Sequence, residues 1–160
     1  MTDTPYRTLL VPTDGSDLAL RALDEALAVA RLTGATIHVL YVVDDATIAE
    51  LATSTGLDDV SFDSDVDELF DRFEAVGEDA IADVREAAAT YDGEVVTALR
   101  QGLPQDEILE YTEENGIDLV VMGTHGRRGV RRYVLGSTTE RVLRRSPVPV
   151  LTVRAETGQT

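Results

Sequence analysis

Residues 118–126 read Asp118-Leu-Val-Val-Met-Gly-Thr-His-Gly126. Four apolar residues in a row, preceded by an acid and followed by a glycine, predict a short strand buried on both faces and ending in a turn. Such strands belong to parallel sheets, whose two faces are both covered by helices. Four other runs, most of them nearly all apolar, follow this pattern: Thr8 to Val11, Ile37 to Val43, Val95 to Leu99 and Val148 to Val153.

The segments between the runs have a helical period. Leu20, Leu23, Leu27 and Ala30 share one stripe, and Gly34 offers a stop. Val66, Leu69, Phe70, Phe73, Ala80, Ile81 and Val84 form a second stripe. A third helix is expected from Pro104 to Asn115-Gly116, and a fourth from about Thr138 to Arg145 before Ser146-Pro147. Strands alternating with helices predict an α/β fold, a single doubly wound, Rossmann-like domain over residues 1–160 with about four helices. The stretch 44–65 departs from this rhythm. It holds seven acids and no basic residue, and reads as a long, partly mobile connection with at most one helical turn around Ile48 to Leu51.

Ligands of open parallel sheets sit beyond the carboxyl ends of the strands. The candidate loops are therefore Pro12-Thr13-Asp14-Gly15-Ser16 and Gly123-Thr124-His125-Gly126. The second continues as Gly-x2-Gly-x9-Gly136-Ser137, with Thr138 and Thr139 opening a helix. Glycines at 123 and 126 allow positive φ angles and let backbone amides approach a phosphate chain, and a helix start at Gly136-Ser137 suits an anion. Taken singly, these glycines are ordinary turn residues, and Ser137 with Glu140 also makes a plain capping box. Asp14 could accept from a ribose or help hold a divalent ion, or could simply belong to a turn and cap. His125 lies in the glycine loop within reach of a phosphate, although a surface-loop role is its simpler reading. His38 reads as a core or face histidine.

Charge supports an anion site. Residues 123–145 carry seven arginines, Arg127 among them, and one acid, a local +6 in a chain of −16. Surface ion pairs with the acidic majority are the alternative. The overall field disfavours nucleic acid and anionic membranes. All 14 basic residues are arginine, and the acidic, lysine-free composition points to a salt-loving microbe or to an arginine-favouring genome. Without lysine there is neither a P-loop nor a standard kinase site, and without cysteine there is no disulfide, thiolate metal site or cysteine nucleophile. The N-terminus lacks a basic, apolar leader pattern, so the cytoplasm is the expected location.

Together these residues resemble the universal stress protein family over nearly the whole chain. The resemblance rests on Val11-Pro-Thr-Asp-Gly-Ser16, Tyr41-Val-Val-Asp44, Gly102-x-Pro104 with Ile108, the 118–126 segment, Leu135-Gly-Ser-Thr-Thr-Glu140 and Pro147-Val-Pro-Val-Leu151. The glycine spacing is similar to that of the family's ATP-binding branch. The resemblance implies sheet order 3-2-1-4-5 and ATP as ligand, with Mg or Mn. It places Pro12, Thr13 and Asp14 near ribose and phosphate, Val42 beside adenine, and Met122 and Gly123 against the nucleoside. Gly126, Gly136, Ser137 and Thr138 would surround the phosphates, with His125 and Arg127 close by. It also implies a homodimer through the edge strand Val148 to Val153, and a stress-response regulator rather than an enzyme. A slow ATPase or phosphotransferase on the same fold is the alternative.

Overall fold

The computed structural model describes residues 5–54, 62–125 and 135–155. Five parallel strands form one sheet in the order β3-β2-β1-β4-β5. They are β1 (Thr8–Thr13), β2 (Thr36–Asp44), β3 (Val95–Gly102), β4 (Leu119–Gly123) and β5 (Val150–Val153). Chain order reverses between β1 and β4, where Leu9 pairs with Leu119 and Leu10 with Val120. The expected sheet order is the observed one.

Both faces are covered, as the unbroken apolar runs require. On one face Leu9, Val11, Ile37, Val39, Leu119 and Val121 pack with Leu23 and Leu27 of α1 (Asp17–Thr33) and Val84 of α3 (Phe62–Ala87). On the other, Leu10, Leu40, Val120 and Met122 meet Ile108 and Tyr111 of α4 (Pro104–Glu114) and Val142 of α5 (Ser137–Arg145). Removing each such large side chain from water stabilises the fold by about 1.5–3 kcal/mol, which makes the alternation of the strands the main determinant of topology.

Two expectations need correction. Among the described residues there are five helices, because the acidic connection contains α2 (Asp45–Ser54), and α3 already begins at Phe62. Positions 55–61 of that connection lie outside the described residues. The physical cause of α2 is a cap: Asp44 Oδ1 accepts from the Ala46 N–H at 2.9 Å, and Oδ2 accepts from Thr47 Oγ1 at 3.2 Å. A carboxylate at a helix start also suits the positive end of the helix dipole. Ile48 is buried with Tyr41, Val43, Ala80 and Ile81, so α2 contributes to a third apolar cluster over the end of β2.

α3 sits unusually close to the sheet. A Cβ on Gly77 would lie 2.6 Å from Leu99 Cδ1 and 2.7 Å from Tyr41 Cδ1, so the helix approaches to a distance that a larger residue at that point forbids. His38 is a face histidine, as read from the sequence. Its Nδ1 is 2.7 Å from the Tyr111 hydroxyl, and the Arg100 guanidinium lies 4.8 Å above the Tyr111 ring. No described helix is long and apolar enough to cross a membrane.

Candidate nucleotide crevice

A crevice of about 450 Å³ opens beyond the carboxyl ends of β1, β2 and β4. That volume falls in the ordinary range for small-molecule sites, roughly 300–1,000 Å³. Ten of the twelve residues singled out from the sequence line it: Pro12, Thr13, Asp14, Val42, Met122, Gly123, His125, Gly136, Ser137 and Thr138. Gly126 and Arg127 lie outside the described residues, as do the arginines at 128, 131 and 132.

The β1 loop is held by its own side chains. Thr13 Oγ1 accepts from the Gly15 N–H at 3.1 Å, and Asp14 Oδ1 accepts from the Ser16 N–H at 2.9 Å. Ser16, not Asp14, caps α1, its Oγ accepting from the Ala19 N–H at 3.2 Å. Asp14 is thus held in a turn at the crevice, with Oδ1 on the backbone N–H of Ser16, the N-cap of α1.

The β4 loop is pinned at both ends. The Gly136 N–H donates to the Thr124 carbonyl at 2.7 Å, the Thr124 N–H donates to the Val153 carbonyl at 2.9 Å, and Thr139 Oγ1 donates to the Gly123 carbonyl at 2.9 Å. Gly123 does not take the positive φ expected of it. It lacks a side chain for a packing reason: a Cβ there would lie 2.8 Å from Leu18 Cγ of α1.

The capping-box reading of Ser137 is also corrected. Gly136 is the N-cap of α5 and Ser137 is its first helical residue, so α5 begins without a side-chain cap. Leu103, the N-cap of α4, likewise makes no side-chain capping bond. The first residues of both helices, Ser137 and Pro104, line the crevice. Backbone N–H groups at a helix start carry a partial positive charge, so the start of α5 favours an anion, whereas α4 opens with Pro104, which has no N–H, and carries Asp106 and Glu107 in its first turn.

The basic island is partly accounted for by surface pairs. Arg144 reaches Glu140 at 3.0 Å and Arg145 reaches Asp106 at 3.3 Å, all four side chains being about half exposed or more. Such pairs contribute roughly 0–1 kcal/mol. Among the described residues no group of three or more His, Asp or Glu side chains comes together as a metal cage.

Sequence reading passed over several lining residues. Asp44 and Thr47 line the crevice, and their spacing is a capping pattern that the surrounding acidity obscured. Thr139 had no signal beyond its place after Ser137. Phe73 comes from the middle of α3 and reaches the crevice through tertiary packing.

Known proteins share this arrangement. The universal stress protein family model matches residues 5–154. A universal stress protein of Methanocaldococcus jannaschii is 32% identical over 149 residues, covering 93% of this chain and 82% of that protein. The solved universal stress protein of Lactobacillus plantarum superposes with a TM-score of 0.80 at 31% identity, covering 95% of this chain and 100% of that one. A universal stress protein solved in complex with cAMP gives a TM-score of 0.61 at 28% identity, covering 94% and 98%. With a family model and relatives that match over nearly its whole length and a sheet of the expected order, the chain belongs to the universal stress protein family.

Proposed function

We propose that this chain is an ATP-binding regulator of the stress response, with the nucleotide at the sheet reversal between Asp14 and the loop from Gly123 to Ser137. The observation that carries this reading is the start of α5, without a side-chain cap, at a crevice lined by Asp14, Gly123 and Ser137. The cAMP held by a relative of the same fold supports an adenine nucleotide as the ligand class.

The triphosphate would lie toward Gly136, Ser137 and Thr138, where the N–H groups of Ser137 and Thr138 at the α5 start would supply donors without a desolvated side-chain charge. Thr13 and Asp14 serve the ribose, and Met122 and Val42 supply apolar contact to the nucleoside. A Mg or Mn ion would be held chiefly by phosphate oxygens, with Asp14 as the protein carboxylate in reach. That division is usual for magnesium, which keeps most of its water and takes one or two carboxylates. The ion would offset phosphate charge, which matters in a chain of −16.

Titration calorimetry with Mg-ATP tests the reading, and Asp14→Asn should weaken binding. Absence of binding at millimolar ATP in molar KCl would contradict it. ADP release well above background and dependent on Asp14 would instead favour the slow ATPase. The same reading includes a homodimer paired along β5, whose edge is left open in the sheet and whose Leu151 is 39% exposed. Light scattering in molar KCl should give twice the chain mass. A salt-adapted surface predicts a melting temperature that climbs steeply from 0.1 to 2 M KCl.

A further inference from the structure

The crevice contains an aromatic residue that the glycine-spaced loop does not explain. Phe73 is partly buried on α3, in the cluster formed by Tyr41, Val43, Ile48 and Ile81. Leu69, Phe70 and Val76 of the same helix pack there too, yet Phe73 is the one of these four that also lines the crevice.

Its position is set one helical turn further on. Residues four apart share a helix face, and four residues after Phe73 comes Gly77, where α3 touches Leu99 and Tyr41 more closely than any Cβ would permit. The close seat at Gly77 draws that face of α3 down over the end of β2. Phe73 therefore lines the crevice on the β2 side, while α5 begins on the far side of β1, beyond β4.

The two sides of the crevice are chemically unlike. The α5 side offers backbone donors; the β2 side offers Tyr41 and the Phe73 ring, which share the α3 face of the sheet. A ligand with a phosphate chain at one end and a flat, weakly polar ring at the other matches both. We propose that Phe73 is the aromatic platform for the nucleobase and that Gly77 positions it, an inference that rests on the nucleotide reading above. Aromatic rings stack on any base, because every base has a π face.

The direct test is NMR of the ATP-saturated protein with labelled phenylalanine rings. The chain has three phenylalanines, so the Phe73 signals are assigned by their loss in Phe73→Leu. Nuclear Overhauser contacts between the adenine H2 or H8 and the Phe73 ring are expected. Calorimetry provides the second readout: Phe73→Leu should weaken ATP roughly tenfold, the usual weight of base stacking on an aromatic side chain, and Phe73→Tyr should restore it. Gly77→Ala, which lifts the helix, should weaken ATP without changing any group on the α5 side. If ATP binds the wild type but shows no contact with the ring, or if Phe73→Leu leaves its affinity unchanged, the platform is wrong and the nucleotide site stands. If the wild type binds no ATP, both readings fail.

Discussion

The two ends of the crevice are built from different materials. At the β4–α5 end the groups that matter are the backbone amides at the start of α5, which begins without a side-chain cap. At the β2–α3 end they are side chains, delivered by a helix far away in sequence and held down by close packing at Gly77. The first kind of surface selects charge and tolerates little change in shape. The second selects a flat apolar group and can be altered one side chain at a time.

That difference predicts a graded response to substitution. The largest effect is expected at the backbone end, where Gly123→Val forces branched methyls against Leu18 of α1, already 2.8 Å from a Cβ at that position. Overpacking of this kind costs about 1–3 kcal/mol, and we expect the upper end, with ATP binding lost as well. Urea denaturation and calorimetry measure the two quantities. A variant of unchanged stability that still binds ATP would show that the loop base is not rigid.

Gly77→Ala should cost less, because two effects oppose. Replacing a mid-helix glycine gains about 1 kcal/mol of helix propensity, whereas the added methyl meets Leu99 and Tyr41 inside contact distance. With overpacking at about 1–3 kcal/mol, a net loss near 1 kcal/mol is expected in urea, and a gain would mean that α3 has room to move.

Asp44→Ala removes the acceptor for the Ala46 N–H and the Thr47 hydroxyl. A lost cap costs about 1 kcal/mol, and hydrogen exchange should rise in α2 while α5 is unaffected. Equal protection in α2 would remove Asp44 as the reason for that helix.

The smallest effect concerns pH and lies away from the crevice. Burial lowers the His38 pKa below 6.5, with Glu94 opposing more weakly. The folded state therefore binds the proton less readily than the unfolded chain. His38 contributes its stability fully above 6.5, and that contribution is lost as pH falls from there through the folded pKa. Tyr111, Arg100, Glu107 and Glu114 complete this cluster. Between pH 7.5 and 5, wild type should lose slightly more melting temperature than His38→Gln. Identical slopes would mean that the histidine is as well accommodated charged as neutral.

What could be read from the sequence follows the same division. Leu119 to Met122 announced the sheet because burial on both faces leaves no polar residue in that strand, and its sister runs, interrupted by His38, Thr97 and Thr152, carry the same pattern less purely. Gly123, Gly136 and Ser137 were visible because backbone chemistry restricts residue type at fixed spacing. Yet the reason given for Gly123 was incomplete, since its neighbour Leu18 lies about a hundred residues away in the chain. α2 was missed because acids without basic partners resemble a solvated connection, and the capping role of Asp44 emerges only once its oxygens have partners. Phe73 looked like one more core residue on a helical stripe. Which core residues turn toward a ligand depends on how closely a helix is seated, and spacing along one chain does not carry that information.

The most direct test of the central claim uses opposite signs at a single position. Ser137 is the first residue of α5, and Ser137→Asp places a negative charge at the positive end of that helix. Without nucleotide this should raise stability by about 0.3–1 kcal/mol; with nucleotide it should repel the phosphates. For wild type, free Mg-ATP at 100 times its dissociation constant adds about 2.7 kcal/mol, a melting shift of roughly 5–10 °C for a chain of this size. Melting curves of both proteins with and without Mg-ATP, at one salt concentration, decide the matter. The account predicts a Ser137→Asp protein at least as stable as wild type alone, with the ATP shift abolished. Equal shifts in the two proteins, or no shift in wild type, would contradict it.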